Sequence, residues 1–187
     1  MELGGPNTTM ATDYDYELNP PKLVRQKDLD TCWACCLSAL LAANMSAKQA
    51  SEDELVGKYA TTPTGGIDVS QLRTVAKDFG YLCNDFWTSA DARSILRDDF
   101  VIERLRLNGM MMVAWRVQDP KKPAERFFHA QIVWGIVYQT KQDLHTERAL
   151  LHTMNPWTAQ YELYPLFWVH RSDNMPLFTC WPNSSSP

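Results

Sequence analysis

The chain has 187 residues, 45% of them apolar and 11% aromatic, which suffices for one domain with a substantial core and excludes disorder over most of the length. Eighteen basic against 22 acidic residues leave a net charge of −4, so no basic field exists to drive phosphate-backbone binding, and nucleic acid is not an expected partner. The longest dense apolar stretch, Ala34 to Ala43, contains Ser38 and is about half the roughly 20 residues that a membrane-spanning helix needs.

The N-terminus carries no cationic region followed by an apolar one, so the chain is expected to be made in the cytoplasm without a signal peptide. Residues 1–21, rich in Gly, Pro, Asn, Thr and Asp, read as a flexible leader ending at Pro20-Pro21. The segment Cys32 to Asn44 is apolar nearly all round and predicts a buried helix, with Asp30 or Thr31 as its N-cap. A second helix, Ser51 to Tyr59, opens with a capping serine and three acids in its first turn. After a Pro63-Thr64-Gly65-Gly66 turn, Val69, Leu72, Val75, Ala76 and Phe79 recur at helical spacing, and Gly80 ends that helix. Ser89 to Leu107 is a fourth helical region with Ile95, Leu96, Ile102 and Leu105 as its stripe, and Arg93 to Arg106 supplies a solvated charged face.

Beyond Gly109 the pattern turns to strands: Met110 to Val117, Phe127 to Tyr138, Arg148 to Met154, then Tyr161 to Val169 and Pro176 to Trp181. Residues 183–187 read as a frayed tail. Helices followed by a mostly antiparallel sheet make an α+β fold. A single domain over 22–182 is expected, with a helical lobe over about 22–108, a sheet lobe over about 109–182, and the site in the cleft between them.

Chemistry concentrates in the string from Gln26 to Ala34. Cys32 falls in the first turn of an apolar helix, where unpaired backbone N–H groups and the helix dipole favour a thiolate. Its own N–H is placed to hold an oxyanion, and the side-chain NH2 of Gln26, six residues upstream, is a candidate second donor. The alternative for Cys32 is a small core residue. A nucleophilic thiol needs a base, and of the four histidines His129 opens an apolar strand at the lobe boundary. His145, His152 and His170 rank below it. Asn155, in Asn155-Pro156-Trp157 directly after a strand, can fix the imidazole tautomer, although Asn-Pro is also an ordinary turn starter.

Gln-x5-Cys-Trp-Ala, a histidine at the head of a strand, and Asn-x-Trp after the next strand together resemble the papain-like cysteine proteases. The string Cys32-Trp33-Ala34-Cys35-Cys36 is similar in style to the short bacterial effector and toxin members of that clan. The resemblance spans Gln26 to about Val169 in order and layout, and about a dozen positions in identity. It implies a papain-like fold with Cys32 as nucleophile, His129 as acid/base, Asn155 as orienting residue, Gln26 in the oxyanion hole, and Trp33 and Trp157 as supporting residues. The short effector proteases usually carry Asp where this chain has Asn155, and either side chain can accept the histidine's hydrogen bond.

The implied activity is hydrolysis of a peptide bond through a thioester, in a secreted bacterial effector or toxin exported by a dedicated secretion system. The implied partners are a protein or peptide substrate and a neutralising or activating protein. The same layout also serves peptidoglycan amidases, protein deamidases and acyltransferases, and a papain-like scaffold can act as a binding module without catalysis. No cofactor is expected. Cys32, Cys35 and Cys36 lack the second ligand cluster that structural zinc sites use, so no metal is expected, and an odd count of five cysteines fits free thiols. Met110 to Met112 reads as strand packing, and Trp87, Trp115 and Trp134 as cleft walls or, more simply, core.

Overall fold

The computed structural model describes residues 16–44, 48–85, 98–119, 122–138, 148–166 and 176–182. Helix α1 spans Cys32–Ala43, and Cys32 to Leu37 and Ala39 to Leu41 are all buried, as an all-round apolar sequence requires. Thr31 caps it by position without a side-chain bond to the helix. Its hydroxyl is committed to Glu52 Oε1 at 2.6 Å and to the N–H of Asp28, which fastens the start of α1 to helix α2, Glu52–Tyr59. Ser51 and Glu54 close a reciprocal capping box at the head of α2. Helix α3, Val69–Asp78, is capped by the Asp68 carboxylate, and Gly80 follows it at φ +77°.

Strands β1 (Tyr16–Glu17), β2 (Tyr81–Asp85), β3 (Met111–Asp119), β4 (Lys122–Val137), β5 (Leu150–Asn155), β6 (Gln160–Pro165) and β7 (Pro176–Pro182) form one antiparallel sheet among the described residues. Its order is β2-β7-β3-β4-β5-β6, and β1 lies along the end of β4, with Tyr16 opposite Ile136. Helix α4 covers Asp98–Asn108. The part of the expected fourth helix that precedes it, with Ile95 and Leu96, lies outside the described residues, as do His145, His170, Trp87 and the expected tail.

Alternation along the strands builds two cores. Met112, Ala114, Ala130, Ile132 and Trp134 pack with α1, α2 and α3. Met111, Val113, Trp115 and Val133 pack with Val101, Ile102 and Leu105 of α4 on the opposite face. Within β4 the face changes between Trp134 and Ile136, where the pairing with β5 shifts register at Val133/Gly135.

Two expectations are corrected here. The flexible leader expected over 1–21 does not include Tyr16 to Pro21, because Tyr16 and Glu17 pair with β4, the Leu18 N–H donates to Trp134 O at 3.1 Å, and Tyr161 Oη donates to Pro21 O at 2.6 Å. Helix α4, expected in the helical lobe, covers the far side of the sheet, because its buried residues Val101, Ile102 and Leu105 meet the β3 and β4 side chains that point away from α1.

No helix among the described residues is long and apolar enough to cross a membrane. Cys35, Cys36 and Cys180 are buried thiols, Cys36 and Cys180 within the first core. Trp115 and Trp134 are core residues, and His152 packs its ring on Trp134 at 4.7 Å.

Candidate active site

The N-terminus of α1 meets β4 at the sequence-predicted residues. Cys32 Sγ accepts a hydrogen bond from the backbone N–H of Ala130 at 3.4 Å, so the thiol lies against the backbone that carries His129. His129 is 3% exposed, and its Nε2 lies 2.8 Å from Asn155 Oδ1. Asn155 reaches it from the end of β5, which pairs with β4. The Trp157 ring stands edge-on to the imidazole, centroids 5.7 Å apart, and covers one side of the His129–Asn155 pair.

The carboxamide of Asn155 is held in one orientation. Its Oδ1 also accepts the Trp157 N–H at 3.0 Å, and its Nδ2 donates to both carboxylate oxygens of Glu162 on β6, at 2.9 and 3.0 Å. An oxygen therefore faces the imidazole, so Nε2 carries the ring proton and Nδ1 is the basic nitrogen. The turn of residues 156–159 that joins β5 to β6 holds Ala159 at φ +53°, a left-handed conformation that non-glycine residues adopt at some cost.

Electrostatics at the pair set a neutral resting state. Burial pushes the Cys32 thiol up, against the lowering influence of the N–H groups of Ala130, Trp33 and Cys32 itself. Burial likewise pushes His129 down, against the Asn155 hydrogen bond and the Glu162 charge. The helix N-terminus alone pointed to a thiolate; desolvation outweighs it here, and the two shifts together favour thiol beside neutral imidazole. The Cys35 thiol is also pushed up, to about 12, by burial.

Gln26 is brought to the site, though not in the orientation that its sequence context suggests. Its backbone N–H donates to Pro156 O at 3.0 Å and ties the loop ahead of α1 to the turn after Asn155. Its Nε2 donates to Asp28 O at 2.7 Å and Leu29 O at 2.8 Å, because two consecutive loop carbonyls converge on the amide. Gln26 Oε1 is buried without a hydrogen-bond partner among the described residues. Trp33 Nε1 donates to Gly65 O at 2.9 Å, so this tryptophan secures the Gly65-Gly66 turn against α1.

A cavity of about 240 Å³ opens beside the thiol, lined by Cys32, Trp33, Ile67, Leu72, Ala114 and Phe128 among others. It is bounded by α1, the loop ahead of α3, β3 and β4, so helices and sheet both contribute walls. No group of His, Cys, Asp or Glu among the described residues is arranged to hold a metal ion.

Sequence reasoning did not single out Glu162, Thr158 or Tyr164, which stand behind Asn155. The available signal was a carboxylate set between Tyr161 and Leu163 in a strand, one hairpin turn after Asn-Pro-Trp.

No protein-family model matches the chain, and no characterised protein matches it by sequence. Among solved structures, its fold is similar to the peptidase domain of Streptococcus ComA, a bifunctional ABC transporter involved in a quorum-sensing pathway. That similarity has a TM-score of 0.52 at 14% identity and covers 88% of this chain and 100% of that one. The chain thus has the α+β fold of a papain-like peptidase domain.

Proposed function

We propose that the protein is a papain-like cysteine peptidase that hydrolyses a peptide bond with Cys32, His129 and Asn155. The observation that carries this reading is a buried imidazole whose Nε2 is held 2.8 Å from Asn155 Oδ1, on the same segment whose next N–H lies on the Cys32 thiol. A structural histidine has no need of an oriented carboxamide, a tryptophan cover and a thiol at a helix N-terminus together.

His129 Nδ1 takes the thiol proton as Sγ attacks the substrate carbonyl carbon, giving a tetrahedral oxyanion and an imidazolium. The Cys32 N–H, unpaired within α1 as all first-turn N–H groups are, supplies one donor to the oxyanion. Gln26 is the second donor once its amide turns from the carbonyls of Asp28 and Leu29, a rotation that substrate binding must drive. The imidazolium then gives its proton to the departing amine as the C–N bond breaks, leaving a thioester on Cys32. His129 next removes a proton from water, which attacks the thioester and releases the acid and the free thiol.

The resemblance to short bacterial effector and toxin proteases supports a secreted role, with a host or competitor protein as substrate. The test is incubation of the full chain with a proteome-derived peptide library, read by mass spectrometry beside Cys32→Ala. New peptide termini in the wild type alone support peptide hydrolysis. Deamidated side chains without cleavage, or a library unchanged by a folded protein, overturn it.

A further inference from the structure

We propose that Glu162 is a positioning residue of this site: it orients Asn155 and sets a negative charge behind the imidazolium that forms when His129 takes the thiol proton. The inference rests on the peptidase reading above. The geometry is that of a built relay. Both Glu162 oxygens accept from Asn155 Nδ2, Thr158 Oγ1 donates to Oε1 at 2.8 Å, and Tyr164 Oη donates to Oε2 at 2.8 Å. Every partner is a donor, which is the company a carboxylate takes. Tyr164 is itself braced, packing its ring on Trp115 at 5.3 Å.

Two consequences follow for the reaction. An amide can present either its oxygen or its nitrogen, and only the oxygen can accept from His129 Nε2. By taking the Asn155 NH2, Glu162 makes the flipped orientation unfavourable, since that would turn the carboxamide oxygen onto a carboxylate. Asn155 is also neutral and cannot by itself offset the charge of an imidazolium. Glu162 supplies that charge one side chain further out, on a neighbouring strand.

Among the described residues, the other titratable groups at this pair are Cys32, with Asp30 acting on it, and Tyr164, which burial pushes up and keeps protonated. Glu162 is the carboxylate that acts on His129, and it favours the charged ring.

The test is the pH dependence of Cys32 alkylation by iodoacetamide in the full chain, mapped by mass spectrometry for wild type, His129→Ala, Glu162→Gln and Asn155→Asp/Glu162→Gln. Glu162→Gln keeps the size and an acceptor for Asn155 while removing the charge. Its labelling at about pH 6 should fall about fivefold or more, with the acid limb of the profile moving to lower pH, because without the Glu162 charge the imidazolium is less stable and less of the pair stands as thiolate and imidazolium. In the double variant the carboxylate stands next to the imidazole, and the acid limb should return towards wild type.

A folded Glu162→Gln whose profile superimposes on wild type overturns the proposal and leaves the peptidase reading intact. Wild-type labelling that does not depend on His129 overturns both. Should Glu162→Gln fail to fold by itself, the melting temperatures of Asn155→Asp and of the double variant decide. Two facing carboxylates must then lower that of Asn155→Asp relative to the double variant, and a double variant no more stable than Asn155→Asp overturns the proposal.

Discussion

His129 is the residue on which the site's chemistry and its pH dependence meet. It is buried with one ring nitrogen bound, and burial holds it below its ordinary value near 6.5. Between that lowered folded value and 6.5 the unfolded chain binds more protons than the native one, so stability must fall as pH drops through this window. The melting temperature should therefore decline from about pH 7 to about pH 5 more steeply in wild type than in His129→Gln. Equal slopes would mean that the imidazole is not held neutral. Gln26, Cys32, His129 and Asn155 were singled out by chain order together with the resemblance to papain-like proteases, and the structure brings the four to one place. Their hydrogen bonds were not legible in the chain. That Gln26 Nε2 faces Asp28 O and Leu29 O depends on loop carbonyls whose direction no periodicity reports.

At the scale of elements, the head of α1 is held by contacts that converge from separate stretches of chain. Thr31 bonds Glu52, the Trp33 indole bonds Gly65 O, and Gly65 sits at φ +85°. A Cβ at Gly65 would lie 2.5 Å from Thr31 Cγ2, in a backbone conformation that side chains resist. Gly65→Ala should cost about 1–3 kcal/mol, read as a lower urea midpoint with an unchanged slope. An unaltered midpoint would show that the turn is not seated on α1.

Helices α1, α2 and α3 were legible because their caps, apolar spacing and Gly80 all agree. Strand β2 was not anticipated: it is short, exposes Leu82 at 44%, and ends in Asn84-Asp85, residues that strands disfavour. It exists because β7 pairs with it along its length, Tyr81 opposite Pro182 through Asp85 opposite Phe178.

At the scale of the molecule, the described residues form a sheet with helices on both faces, and Tyr16 to Pro21 belong to it. Removing residues 1–21 would delete β1 and the Leu18–Trp134 and Tyr161–Pro21 hydrogen bonds. At about 1 kcal/mol per hydrogen bond, the truncated chain should lose a few kcal/mol, visible as a lower melting temperature. An unchanged melt would restore the leader to its full expected length.

Composition and periodicity determined the α+β class and the helices-then-strands sequence, because local propensity and spacing act over a few residues and are written directly in the chain; Cys32, His129 and Asn155 were marked out by motif order and by what it resembles. Tertiary structure decided that α4 covers the face away from α1, that Tyr16–Glu17 join β4, and that Glu162 stands behind Asn155. The reason is physical: an amphipathic helix states which of its faces must be buried but not against what, an exposed strand edge accepts whichever segment reaches it, and a carboxylate's partners are fixed by strand register, which pairing across the sheet alone sets.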